Sequence, residues 1–293
     1  MRTDPRIAVL FAVVAVSSSA ILIRLATPHP LSIAFHRMAF AALLTAPRFL
    51  GPSRRHPAHP PPAARDLALA LVSGGFLALH FAAWITSLFL TSVAGATVLV
   101  NLHPIFVVAL GFLFLGERVS PGGILWILLS VAGSVVLALG GTTVGGETAT
   151  AGNLLATAGA AAVACYMLIG RVLRQRMGAG LYTLLVYGSS AAILLLWCLL
   201  AGVDLGPYAA REYVLFVLLA VFPTLLGHTV FSWALRYVRA SFVATAVLGE
   251  PVIAAILAVF FFAEIPTVWT VVGGAMIIGG IYYYTRREAA RGL

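Results

Sequence analysis

Glu250 is the carboxylate of this chain that falls well inside an apolar stretch of membrane-spanning length; the other acidic residues sit at stretch ends, in loops or in the termini. Near the centre of a bilayer a carboxylate costs about 2.5–3.5 kcal/mol even on lenient insertion scales, so it must face protein or water. Two readings follow: a proton or cation site, or a carboxylic acid hydrogen-bonded to a neighbouring helix. Pro251 follows it, and Pro104 occupies a matching place in an earlier stretch, after His103. Each proline removes one helical hydrogen bond and frees the carbonyl four residues back, that of Val100 or Val247. Such openings are tolerated where they line a cavity or pack on protein, so Pro104 and Pro251 are candidate helix hinges.

Further polar side chains recur on helix faces. His80, Trp84, Ser87 and Thr91 are spaced four, three and four apart, and Thr224, His228 and Ser232 are four apart, with Trp233 adjacent. Spacings of three and four put side chains on one face. A face mixing imidazole, hydroxyl and indole suits a cavity wall that accepts an aromatic or zwitterionic solute; a satisfied core histidine is the plainer alternative for each imidazole. Asn101 adds an amide to the Pro104 stretch. Arg37, beside His36, lies deep enough to meet a carboxylate or a helix end, whereas Arg24 and Arg171 can snorkel to the interface.

The elements that carry these residues are repeated. Arg24 and Arg171, Pro104 and Pro251, Glu117 and Glu264, and Gly133 and Gly280 are each separated by 147 residues, and the same offset pairs His103 with Glu250. It sends His80 to Gly227, one step short of His228, so those two histidines are not symmetry mates. Ten apolar stretches fall at about 7–26, 31–50, 66–88, 94–115, 121–140, 152–170, 180–201, 212–235, 240–262 and 267–285, lengths that suit helices rather than barrel strands. An odd number of crossings per copy makes the second copy enter the membrane from the opposite side. The expected fold is an all-α membrane protein of ten transmembrane helices in two inverted five-helix repeats. Residues 1–140 form the first repeat, 141–151 a linker and 152–293 the second. Inverted halves build one site between them that opens to either side, the organisation of a transporter.

Composition agrees. A hydrophobic fraction of 61% and a charged fraction of 9% exclude a soluble domain. The net charge of +9 is carried by arginines in short connections rather than by a continuous basic face, which argues against nucleic acid as a partner. Placing the amino terminus in the cytoplasm collects most arginines on that side, including Arg118, Arg171, Arg174, Arg176, Arg236 and Arg239. Both termini are therefore expected in the cytoplasm, and the first apolar run is too long for a cleaved signal. Cys165 and Cys198 both lie in apolar stretches, which excludes a disulfide framework and a CxxC metal site. Gly51 to Ala64, with Pro60, Pro61 and Pro62, reads as an exposed linker. Gly133, Gly273, Gly274, Gly279 and Gly280 read as packing positions. No metal or cofactor site is expected, and the sequence leaves the oligomeric state open, a monomer included. An intramembrane enzyme is the rival class. It rests on Ser73-Gly74 and the buried histidines, with no GxSxG or HExxH run beside them.

The run Leu113-Phe114-Leu115-Gly116-Glu117-Arg118, its counterpart Phe260-Phe261-Phe262-Ala263-Glu264, Glu250-Pro251, Phe35-His36-Arg37 and the glycine-rich closing helix of each half carry a resemblance. Over nearly its whole length the chain resembles the drug/metabolite transporter superfamily in its EamA-type branch. The resemblance implies a secondary carrier of the inner membrane that exports amino acids or similar small metabolites, through a cavity lined by stretches one, three, four, six, eight and nine. A nucleotide-sugar, lipid or drug translocator of the same architecture is the alternative. The Trp frequent in the first helix of each half is replaced here by Ser17 and Ala164, and Tyr166 is the candidate to supply that aromatic wall. The expected substrate-binding set is His80, Trp84, Asn101, His103, Tyr166, His228, Trp233 and Glu250.

Overall fold

Proline and a polar cap open the first helices. Pro5 starts α1 (Pro5–Val16), where Asp4 accepts from the Arg6 amide at 2.9 Å, and Pro30 starts α3 (Pro30–Thr45), where His29 Nδ1 accepts from the Leu31 amide at 3.2 Å. Between them lies α2 (Ser19–Leu25), separated from α1 by a turn at Ser17 and Ser18. The Ser17 hydroxyl donates to the Val13 carbonyl at 2.7 Å and that of Ser18 to the Ala15 carbonyl at 2.8 Å, local bonds that compete with the helical ladder.

The chain is seen here in a computed structural model that describes residues 4–47, 62–91, 93–138, 147–262 and 266–290. The remaining elements are α4 (Ala64–Leu90), α5 (Val93–Val100), α6 (His103–Leu115), α7 (Pro121–Ala138), α8 (Glu147–Leu173), α9 (Ala179–Leu200), α10 (Ala210–Leu219), a π-helical segment (Ala220–His228), α11 (Thr229–Ala234), α12 (Ala240–Val247), α13 (Glu250–Phe262) and α14 (Val268–Ala290). No strand occurs among the described residues. Among the described residues, eight helical stretches are long and apolar enough to cross a membrane: Pro5–Leu25, Ala64–Leu90, Ala96–Leu115, Ala149–Leu173, Ala179–Leu200, Ala210–Ala234, Ala240–Leu257 and Val268–Arg287. Pro30–Thr45 and Pro121–Leu137 are apolar but shorter. Most of the polyproline linker, Ala263-Glu264 and most of the junction at 141–151 lie outside the described residues.

The outer surface is apolar: Phe11 is 72% exposed, Leu200 76% and Phe260 80%. In water such a surface would aggregate, whereas lipid tails cover it at no cost. Inside, α4 lies along α8, α3 against α9, and α7 against α14. The last pair is a seam of small residues. A Cβ on Gly133 would stand 2.8 Å from the Gly273 carbonyl oxygen, and one on Gly280 would stand 2.6 Å from the Trp126 carbonyl oxygen and strike the Ser130 hydroxyl. Backbones meet here because the side chains are absent. Ser130 Oγ also donates to the Ile277 carbonyl at 3.3 Å, across 147 positions.

Polar contacts gather at two ends of the bundle. At the arginine-rich end, Gly116 caps α6 in the left-handed region at φ 64°, with the Gly116 amide on the Phe112 carbonyl and the Glu117 amide on the Gly111 carbonyl. This turn brings Glu117 to Arg171, whose Nε lies 3.2 Å from Oε1 and whose Nη1 donates to the Leu235 carbonyl at 2.8 Å. Arg171 is thus tied between helices rather than snorkelling. Arg176 pairs with Asp66 at 3.3 Å, and Arg174 donates to the carbonyls of Ser232 and Met177. Burial, with Arg236 nearby, pushes Arg174 down to about 10, still charged at neutral pH. At the other end Glu212 accepts from the Thr27 amide and hydroxyl and from Arg211.

Candidate functional site

Two helix breaks shape the centre of the bundle. Between α5 and α6 the chain turns at Asn101 and Leu102; between α12 and α13 it turns at Leu248 and Gly249, each break directly preceding the residue before a proline. At the first break the carbonyl of Val100, which Pro104 cannot serve, lies 3.1 Å from His103 Nδ1. A carbonyl only accepts, so Nδ1 carries a proton, while Nε2 has no hydrogen-bond partner. A third proline acts in the same way. Pro223 leaves the Leu219 carbonyl without its amide, the helix widens into the π segment, and Thr224 Oγ1 donates to Leu219 O at 2.9 Å.

The breaks border a central cavity. Its wall holds Ser19, Arg37, His80, Trp84, Asn101, His103, His228 and Glu250 among apolar Val16, Phe81, Val100, Val163, Met167, Phe231 and Val247. Six of the eight sequence-derived binding candidates therefore share one cavity: His80, Trp84, Asn101, His103, His228 and Glu250. Ten wall residues form five pairs at the 147-residue offset: Val16 with Val163, Phe81 with His228, Trp84 with Phe231, Val100 with Val247 and His103 with Glu250. His103 and Glu250 face the same space but do not bond directly, since His103 Nε2 has no partner. His228 is the mate of Phe81 rather than of His80.

Tyr166 and Trp233 stand outside the wall. On α8 the cavity-facing positions are Val163 and Met167; Tyr166, about 100° around the helix from Met167, turns behind the wall and bonds Ser232 Oγ at 2.7 Å. Trp233 is rotated away in the same sense from Ser232 and packs on Tyr237 with ring centroids 5.1 Å apart. The aromatic group that α11 gives the cavity is Phe231. The hydroxyls expected beside the histidines are used elsewhere: Ser87 donates to the Trp84 carbonyl at 2.7 Å, and Thr91 to Asn153 at 3.0 Å.

Arg37 has a more central place than its sequence context suggested. It is fully buried, Nε donates to Thr224 Oγ1 and Nη1 to Ser19 Oγ, both at 2.9 Å, and Cζ lies 4.1 Å from the Phe81 ring centroid. The sequence signal that could have placed it was Pro223-Thr224, because the freed Leu219 carbonyl orients the hydroxyl that then receives Arg37. His80 is fixed by Nδ1 donating to the Gly159 carbonyl at 2.9 Å and lies nearly parallel to Trp84, at an interplanar angle of 8°.

Buried side-chain atoms without a hydrogen-bond partner are Trp84 Nε1, Asn101 Nδ2, His103 Nε2, His228 Nδ1 and Ser190 Oγ among the described residues. Four of the five belong to the cavity wall. An unmet buried polar atom costs about 1–3 kcal/mol, so their concentration on one surface implies a polar occupant, solute or water.

An apolar exterior around helices that enclose a polar central pocket defines a multi-pass membrane transport protein. The chain belongs to the EamA-like transporter family, whose profile matches residues 6–139 and again residues 150–286. It is 26% identical over 274 residues to an uncharacterized transporter of Archaeoglobus fulgidus, covering 94% of this chain and 93% of that one. It is also 26% identical to a probable terminal-alkyne amino-acid exporter of Streptantibioticus cattleyicolor, over 67% of this chain and 65% of that one. To the human solute carrier family 35 member G1 it is 27% identical, over 64% of this chain and 53% of that one. A crystal structure at 20% sequence identity superposes with a TM-score of 0.76 over 99% of both chains, a likeness of fold.

Proposed function

We propose that this protein exports amino acids or similar small metabolites across the cytoplasmic membrane by alternating access. Ten crossings would be arranged as two inverted five-helix repeats, with both termini in the cytoplasm. The observation that carries the reading is the central cavity, on whose wall four buried polar atoms await partners. The tandem family match supports two repeats meeting between residues 139 and 150. So do the five offset pairs of the wall and the bond from Ser130 to Ile277, its own counterpart, since a residue touches its mate only close to a twofold axis. The arginine-rich end, with Arg118, Arg171, Arg174, Arg176 and Arg239, takes the cytoplasmic side by the positive-inside rule.

Under this reading His80, Trp84, Asn101, His103, His228 and Glu250 meet the solute, and Pro104 and Pro251 let their helices bend as access alternates. The amino-acid class is supported by the mixed donors and acceptors of the wall and by the name of one relative. Ser73, on which an enzymatic reading would rest, shares its hydroxyl with Tyr182 at 2.8 Å rather than with an imidazole.

The test is a counterflow screen of the twenty amino acids with purified protein in proteoliposomes. Time-dependent exchange of at least one amino acid, recovered chemically unchanged, is expected. Exchange of nucleotide sugars or lipids with no amino acid exchanged would assign the alternative cargo, and a chemically altered solute would assign an enzyme.

A further inference from the structure

The cavity wall carries an arginine and a glutamate that are not in direct contact. Arg37 meets two neutral hydroxyls and one aromatic face, which uses two of its five N–H groups. The ion pairs among the described residues join Arg171 to Glu117, Arg176 to Asp66 and Arg211 to Glu212; neither Arg37 nor Glu250 takes part. The arginine-rich end shows the alternative, a carboxylate brought to 3.2 Å from a guanidinium. Placing a guanidinium and a carboxyl group on the wall of one space, rather than in contact, leaves each without a hydrogen-bonded ionic partner, which a zwitterion could supply.

We propose that the cavity selects α-amino acid zwitterions, with the carboxylate on Arg37 and the ammonium group on Glu250. This rests on the carrier function proposed above and adds the residues that choose the substrate. Arg37 suits a carboxylate because Ser19, Thr224 and Phe81 fix its planar fork and leave N–H groups for a paired contact. Trp84 Nε1 and Asn101 Nδ2 add donors for the anionic end of the solute. Glu250 is the acceptor for the ammonium end, beside its repeat mate His103 on the same wall. A solute bearing one of the two charges leaves the other wall charge unpaired and is rejected for that reason.

Counterflow of labelled phenylalanine in wild-type proteoliposomes tests the assignment, with phenethylamine, hydrocinnamate and unlabelled phenylalanine as competitors. Phenylalanine is expected to compete at least about tenfold better than either analogue. Arg37→Gln should abolish the preference over phenethylamine, and Glu250→Gln the preference over hydrocinnamate, with Arg37→Lys restoring part of the first. Equal competition by phenethylamine in the wild type overturns the role of Arg37, and equal competition by hydrocinnamate overturns that of Glu250. These comparisons need no variant to fold. If phenylalanine itself does not exchange, the trio is rebuilt on the fastest amino acid of the screen. If none exchanges, the proposed function falls and this assignment falls with it, whereas amino-acid exchange without charge selection sinks the assignment alone.

Discussion

The two halves of the chain meet at the seam between α7 and α14 and again around the cavity, and they do opposite things there. At the seam the repeat has kept one small pair, Gly133 and Gly280, each of which removes the side chain that would hold the helices apart, while Gly273 corresponds to Trp126 and Ser130 to Ile277. At the cavity the repeat has kept shape and changed polarity. Val16 and Val163, and Val100 and Val247, remain valines, while Phe81 stands opposite His228, Trp84 opposite Phe231 and His103 opposite Glu250. Asn101 corresponds to Leu248, which is buried but is not a wall residue. Small residues hold the halves together at the seam, and mismatched ones give the space at the cavity a direction. A polar solute would need the second property, and the alternating access proposed above the first.

The largest effect is expected from breaking the seam. A Cβ on Gly273 would strike the Leu137 amide nitrogen and lie 2.5 Å from the Gly133 carbonyl, backbone atoms that cannot rotate away. Gly273→Leu should cost about 3 kcal/mol or more by forcing the two helices apart. It should show as a loss of monodisperse protein and a lowered unfolding midpoint in detergent. Gly279→Ala, where nothing stands within 4 Å, is the control and should leave the midpoint unchanged. Equal behaviour of the two variants would remove the seam from any account of stability.

Next comes the charged mismatch. If Glu250 contacts the solute as proposed, Glu250→Gln should reduce counterflow and pH-driven flux together, by about tenfold or about 1.4 kcal/mol. A pH-driven flux that falls while counterflow persists would assign Glu250 to proton coupling instead.

How far these features were legible depends on their range. Periodicity and the 147-residue offset located the stretches, and intramembrane polarity pointed to Glu250, His103, His80, Trp84, Asn101 and His228, because a buried polar group is expensive wherever it lies. Tyr166 and Trp233 lay beyond such reasoning: each sits one residue from a group that bonds or lines the cavity, and about 100° of helix rotation decides which way it turns. The π segment was hidden for a related reason. Pro223 announces a lost hydrogen bond, but whether the helix kinks or widens is decided by Thr224, Arg37 and Ser19 together, on three separate helices. Arg37 was underrated because its partners are hydroxyls far away in sequence rather than an acid.

A subtler break makes one mismatch match. Asn101→Leu installs the residue found at the mate position and removes an amide nitrogen that is buried without a partner. The folded protein should gain about 1 kcal/mol, read as a raised unfolding midpoint, because an unmet donor is no longer desolvated. Transport should fall severalfold through a raised KM. Loss of stability with unchanged transport would make Asn101 a structural amide and weaken the link between unmet polar atoms and the solute.

The smallest effect sharpens the seam itself. Ser130 Oγ lies 3.1 Å from the Trp126 carbonyl within α7 and 3.3 Å from the Ile277 carbonyl on α14, so one hydroxyl proton is shared between a local and a cross-seam acceptor. Neither carbonyl depends on it, because each already has a position in its own helical ladder. Ser130→Ala should therefore cost only about 0.5 kcal/mol, at the low end for a neutral hydrogen bond, while its methyl group continues to fill the notch beside Gly280. Ser130→Val asks a different question at the same place, because added bulk meets the Gly280 backbone and should cost about 2 kcal/mol. A valine variant less harmful than the alanine variant would mean that the hydroxyl joins the halves at this crossing. The expected order, alanine mild and valine severe, would mean that close backbone approach joins them and that the serine is retained for its size.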